Sequence, residues 1–251
     1  MPSTLPRIRC GMLDAARGAA VINMIAYHLC YDIFCVFGVW LDFQTFVPAV
    51  IWERLICFSF IIISGAVTNF SQHGIRRGVI VSLCGFAITV VTVLITPEQS
   101  IWFGVLSLLG CAMLAAHILR RELSRIRPAV GCALFLVLFA LCYGIPDGYI
   151  GLFSLPLIRL PEALYRYRFL AFMGFPPEGF FSADYFPILP WSFLFLFGGQ
   201  LWRLLVRKGL DRRFAEGPRL LRFVGRHSLI IYMAHQPILY GLCYAVFSLI
   251  K

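Results

Sequence analysis

The sequence predicts an all-α fold, a polytopic transmembrane helical bundle of about seven spans. Three observations predict it: an apolar composition, apolar runs of spanning length, and a one-sided distribution of arginine. The chain of 251 residues is 60% hydrophobic and 14% charged, with mean hydropathy +0.84. Soluble domains hold roughly 45–50% apolar and 25% charged residues, so a water-soluble core cannot absorb this much apolar surface. Apolar runs near or above the roughly 18 residues that read as a membrane span recur along the chain, separated by short segments of Arg, Gly and Pro. One integral membrane domain over residues 1–251, with no separate soluble domain, is the economical reading.

The first run, about 12 to 36, is too long for a signal-peptide core and has no small-residue cleavage site at its end, so it is expected to stay attached. The second, about 50 to 70, opens on Glu53 and Arg54 beside Trp52 and ends near Ser64-Gly65, a small pair that lets helices approach closely. Runs three to five cover about 78 to 96, 100 to 118 and 129 to 145. Pro146 to Asp184 is the long connection, rich in aromatics and prolines and too broken to span, which suggests an outer re-entrant or interfacial loop. The sixth run, about 185 to 206, leads into the basic segment "RKGLDRRFAEGPRLLRFVGRHS", expected to form a short surface helix before the last span at about 226 to 249.

Cytoplasmic loops retain Lys and Arg. Placing the N-terminus in the cytoplasm puts Arg7, Arg9, Arg76, Arg77, Arg120, Arg121, Arg125, Arg127 and the basic residues from Arg203 to Arg226 inside. Only Arg54, Arg159, Arg166, Arg168 and Lys251 are then outside, whereas Asp32, Asp42, Glu53, Glu98, Asp147, Glu162, Glu178 and Asp184 lean outward. The net charge of +10 is therefore a topological feature. It points to the lipid bilayer and its anionic headgroups as partner, and to an anionic cytoplasmic ligand, rather than to nucleic acid. The nine cysteines stand singly with no C-x-x-C pair, so they read as small packing residues and no metal site is expected.

Ionisable groups inside spans are costly and mark functional positions. Arg17 and His28 are eleven positions apart, which on a helix brings them within about 20° of one face and about 16 Å apart along the axis. Asp32 follows His28 by one turn, close enough to accept a ring N–H. A His and a carboxylate at this spacing make a general base that deprotonates a hydroxyl or amine, or a ring that carries an acyl group itself. The plainer reading is a buried histidine bonded to a neighbouring helix, with Asp32 facing water. Arg17, one turn from Asp14, suits either a structural ion pair or a phosphate-bearing ligand. Glu53 and Arg54, beside Trp52 at the outer boundary, read as an anchor. In the last run His235 precedes Gln236 and Pro237; it reads either as a ligand contact or as a polar residue holding helices together.

Five ordered segments, "LDAARGAAVINMIAYHLCYD", "FSFIIISG", "FGVLSLLG", "FFSADYFPILPW" and "GRHSLIIYMAHQPIL", together resemble the bacterial heparan-α-glucosaminide N-acetyltransferase-like membrane proteins. The Arg17-x10-His28 spacing is also similar to that of the wider acyltransferase-3 group. The resemblance covers most of the chain. It implies a membrane-embedded acyltransferase of a bacterial inner membrane, with acetyl-CoA or another acyl-CoA as co-substrate. The acyl group passes from the cytoplasmic side to the amine or hydroxyl of a sugar or glycan acceptor at the outer face. On this reading His28 and Asp32 are catalytic, Arg17 and Asp14 lie on the CoA side, and Glu53, Arg54, Asp184 and His235 lie toward the acceptor. One departure stands out: the animal lysosomal enzymes have an asparagine where this chain has His28, and their catalytic histidine comes eleven residues later, where this chain has Val39. Carry-over of that histidine fails, and carry-over from the Arg-x10-His pattern to His28 stands.

Two other classes fit the same residues. A transporter or flippase of a lipid-linked or small polar substrate uses buried charges too, although no internal repeat is visible. An intramembrane serine protease on Ser64 and His235 needs those side chains at one depth, and their positions along the spans differ by about 6 Å. The spans can also assemble as a homodimer.

Overall fold

The computed structural model describes residues 10–70, 73–214 and 216–250. Arg7, Arg9 and Lys251 of the charge argument lie outside the described residues, as do the side chains of Arg212 and Arg213. The chain is all-α and polytopic. Among the described residues six helical stretches are long and apolar enough to cross a membrane: Gly11–Val36, Val47–Phe70, Gly74–Ile95, Pro128–Asp147, Ile188–Arg207 and Ser228–Leu249. The chain divides into two compact units, Met1–Ile63 with Leu210–Lys251, and Ser64–Gly209.

In the first unit, α1 (Gly11–Tyr31) is an alanine-rich apolar helix that widens into a π turn over Asp32–Val36, where the Phe37 N–H reaches back five residues to the Asp32 carbonyl at 2.9 Å. Turns of this kind are rare and concentrate at functional sites. After the turn α2 (Val47–Val67) begins, and its Trp52 indole donates to Asn23 Oδ1 of α1 at 3.2 Å. The basic segment forms the expected short helix, α8 (Arg219–Arg226), which lies on the first half of α1. A side chain on Gly18 would strike the Leu221 carbonyl, and one on Gly225 would strike the Asp14 carbonyl, so two glycines let the helices meet backbone to backbone. Asp14 pairs there with Arg226, Oδ2 to Nε at 3.4 Å. The Cys10 thiol donates to the Phe214 carbonyl at 2.8 Å, and burial pushes that thiol above its ordinary pKa and keeps it a donor. The last helix, α9 (Ser228–Ile250), runs against both α1 and the π turn.

The second unit is built on two close helix pairs. In the first, α3 (Gly74–Ile95) meets α4 (Val105–Ile118) through Gly85 against Ser107 and Gly110 against Ser82. In the second, α6 (Pro128–Cys142) meets α7 (Ile188–Arg207) through Gly131 against Gln200 and through the Phe139–Trp191 ring contact at 5.5 Å. Between the pairs, α5 (Arg120–Arg125) ends on Arg203, which donates to the carbonyls of Leu123 and Ser124 at 2.5 and 2.8 Å. The inner end of α2 joins this unit, with Gly65 pressed on the Phe195 carbonyl and Asn69 donating to Gly199 O at 3.1 Å.

The structure differs from the sequence reading in two places. The run expected over 100–118 becomes the 14-residue α4, about 21 Å long and shorter than a ~30 Å hydrocarbon core. It starts late because Phe103 and Gly104 are non-helical and Asp184 Oδ2 accepts the Val105 N–H at 3.0 Å, satisfying an orphan donor of the first turn. The long connection is also more ordered than a broken loop. It opens with an antiparallel hairpin, β1 (Tyr149–Leu152) and β2 (Leu155–Arg159), with a bulge that accommodates Pro156. It is then tied down by the Tyr165 hydroxyl on Ile145 O at 2.5 Å, the Tyr185 hydroxyl on Ala171 O at 2.6 Å, and backbone bonds from Ala183 to Ser100 and from Phe186 to Phe103. Burial raises the pKa of both phenols and keeps them donors.

Candidate active site

Polar groups gather where the far end of α1 meets α9. Asp32, the first residue of the π turn, is 0% exposed, and His235 is 8% exposed. An unpaired buried carboxylate is expensive. Asp32 Oδ1 accepts the side-chain N–H of Gln236 on α9 at 2.7 Å. The residue before it, His235, lies with its ring 4.9 Å from the ring of His28, centroid to centroid and tilted by 59°. His28 is half-buried, with Tyr27 edge-on at 5.9 Å. His235 Nδ1 sits 2.6 Å from the carbonyl of Tyr232, one turn back on its own helix.

A carbonyl oxygen only accepts, so Nδ1 carries the proton and the neutral ring presents a bare lone pair at Nε2. Three fully buried atoms here have no hydrogen-bond partner: Asp32 Oδ2, Gln236 Oε1 and His235 Nε2. All three are acceptors in this arrangement. Such a cluster is rich in acceptors and short of donors.

The structure thus brings together His28 and His235, and joins Asp32, one turn from His28, to Gln236 beside His235. Asp14 and Arg17 are near the opposite end of α1, where α8 docks; Asp14 is buried and engages Arg226, while Arg17 is half-buried. Eleven positions of α1 separate Arg17 from His28, about 16 Å along the helix. Glu53 and Arg54 stand half-exposed on α2 and form no salt bridge with each other among the described residues. Asp184 belongs to the second unit, where its carboxylate caps α4. The spacing argument expected Asp32 to orient His28, yet among the described residues its hydrogen bond comes from Gln236.

The model of the family described as heparan-α-glucosaminide N-acetyltransferase, catalytic, matches residues 9–237. The chain belongs to this family. Membership in the heparan-α-glucosaminide N-acetyltransferase family, together with six apolar helices of spanning length, gives a multi-pass membrane protein with an acetyltransferase-like function. No curated protein and no solved structure gives a significant match to the chain. The family match takes in every residue of the α1–α9 cluster, from His28 through Gln236. Among the described residues no group of three or more His, Cys, Asp or Glu side chains is placed to hold a metal ion.

Sequence reasoning missed Gln236 as the partner of Asp32 and Arg226 as a partner of Asp14. Both belong to segments that sequence reading had singled out for other reasons, the "HQP" of the last span and the basic stretch before it. A polar side chain immediately beside a buried histidine was the available clue.

Proposed function

We propose that the protein transfers an acetyl or other acyl group from cytoplasmic acyl-CoA to the amine or hydroxyl of a sugar or glycan at the outer face of a bacterial inner membrane, working as one domain. The observation that carries this reading is the donor-poor cluster of His28, Asp32, His235 and Gln236, at the other end of α1 from Arg17. The family name speaks for an amino group on a glucosamine-type sugar as acceptor.

His28 is the general base. It is the more exposed of the two paired histidines, and an incoming amine or hydroxyl loses its proton to that ring. The acceptor nitrogen or oxygen bonds to the acyl carbon, the thioester C–S bond breaks, and the ring returns the proton to the departing thiolate. Asp32, one turn along, supplies negative charge close to the imidazolium, and Gln236 holds that carboxylate in place. Arg17 binds a phosphate of CoA, since a guanidinium suits phosphate oxygens. Asp14 serves that end by fixing α8 through Arg226. Glu53 and Arg54 contact the acceptor sugar, and Asp184 supports the outer side through the helix it caps.

The test uses full-length protein in proteoliposomes, radiolabelled acetyl-CoA and glucosamine. His28→Ala is expected to lower acetyl transfer about 10²–10⁴-fold with elution profile and melting temperature unchanged. Full turnover by a folded His28→Ala variant, or no transfer by the wild type to any amino sugar, overturns the assignment.

A further inference from the structure

We infer that His235 is the positioning residue of His28: its Nε2 lone pair accepts the second ring N–H of His28 once that ring has taken the acceptor's proton. The inference rests on the reading of His28 as base, and it gives His235 the orienting role that the spacing suggested for Asp32.

Three observations lead there. The Tyr232 carbonyl fixes the tautomer of His235, leaving Nε2 able only to accept. That Nε2 is buried, and no donor, the His28 ring included, is within hydrogen-bond reach of it while His28 is neutral. Among the described residues two aromatic rings lie against His235: Tyr232, whose carbonyl already takes Nδ1, and His28 at 4.9 Å. Adjacent residues of α9 thereby divide the work on two residues one turn apart on α1. Gln236 holds the Asp32 carboxylate at 2.7 Å, and His235 faces the ring.

The proton count is simple. A neutral His28 carries one ring N–H. After it takes the proton of the acceptor it carries two, and the one turned inward is donated to His235 Nε2 while the Tyr232 carbonyl continues to accept from His235 Nδ1. His235 neither gains nor loses a proton. The acyl carbon gains the acceptor's nitrogen or oxygen, loses the thioester sulfur, and the thiolate recovers the proton from His28. The chain from Tyr232 O through His235 to His28 orients the base from inside the protein, as a backbone-anchored second ring nitrogen does for metal-bound or catalytic histidines elsewhere.

Two measurements on the full chain test this. Magic-angle-spinning NMR of ¹⁵N-histidine protein in phosphatidylcholine bilayers reads the pair without any turnover. The expected spectrum has His235 protonated at Nδ1 and bare at Nε2, with a through-hydrogen-bond N–N coupling from His28 that appears on acidification. A proton on His235 Nε2, or no coupling to His28 at any pH, overturns the inference. Thiol release from acetyl-CoA with glucosamine as acceptor reads its use in catalysis. His235→Leu is expected to lower kcat by about 10²-fold or more with KM for acetyl-CoA unchanged. His235→Gln, whose Oε1 offers an acceptor close to the place of Nε2, is expected to recover at least about tenfold of that loss. Equal losses in the Leu and Gln variants, or an unchanged kcat in a folded Leu variant, overturn the inference. A wild-type protein that releases no thiol defeats the acetyl-transfer reading instead, and the NMR result still decides the histidine pair.

Discussion

A buried carboxylate with one amide donor is poised between two energetic regimes, and Asp32 shows which substitutions separate them. Asp32→Asn keeps an oxygen to accept from Gln236 and removes the buried charge, so stability is expected to hold or rise. Asp32→Ala leaves the Gln236 amide with no partner in a sealed site, at a cost of about 1–3 kcal/mol. Thermal unfolding in detergent separates the two, and an Asn variant as unstable as the Ala variant contradicts this account. Transfer activity should fall in both, because each removes the charge near the imidazolium. At this scale the residue types were legible in the sequence and their pairings were not. The i, i+4 rule makes His28 and Asp32 neighbours on one helix, but it carries no information about a residue 204 positions away. Gln236 competes for the carboxylate and has it. The Arg17–His28 spacing, which depends only on helix geometry, survives unchanged.

Helix ends repeat the lesson one level up. The α4 start is set by a carboxylate 79 residues downstream, so apolar content alone placed it too early. Asp184→Ala, which removes the acceptor for the Val105 N–H, is expected to cost about 0.5–2 kcal/mol. Asp184→Asn, with an oxygen still able to cap, should cost only a few tenths of that. Chemical denaturation followed by tryptophan fluorescence distinguishes them; a large loss in the Asn variant, or a raised KM for glucosamine with stability intact, would show that Asp184 acts on substrate by its charge. Long apolar helices and the short basic α8 were readable because their periodicity and flanking arginines are local properties. The β1–β2 hairpin was not, since its two short strands carry a proline and a register shift that interrupt any alternating pattern.

For the whole molecule, the sequence makes a prediction about orientation that rests on no single contact, because a one-sided distribution of arginine sums over the chain. The cytoplasmic N-terminus is tested in a cysteine-free background. With α4 crossing beside α3, a membrane-impermeant maleimide applied to intact cells is expected to label Glu162→Cys, in the connection after β2, and to spare Glu122→Cys on α5 until the membrane is opened. The reverse pattern means that the N-terminus lies outside or that the 14-residue α4 does not cross. What orientation leaves open is how the two ends of the chain come together in one unit, which depends on Gly18 and Gly225 and on side chains near opposite ends of the sequence.

That last arrangement has a consequence in time. Asp32 and the amide that satisfies it are 204 positions apart, and a ribosome adding about 5–20 residues per second needs about 10–40 s to cover that interval. For that period α1 resides in the bilayer with its carboxylate unmatched and its glycine-lined surface bare. The helices made in between belong largely to the other unit, so the proposed site is assembled last, when α8 and α9 arrive.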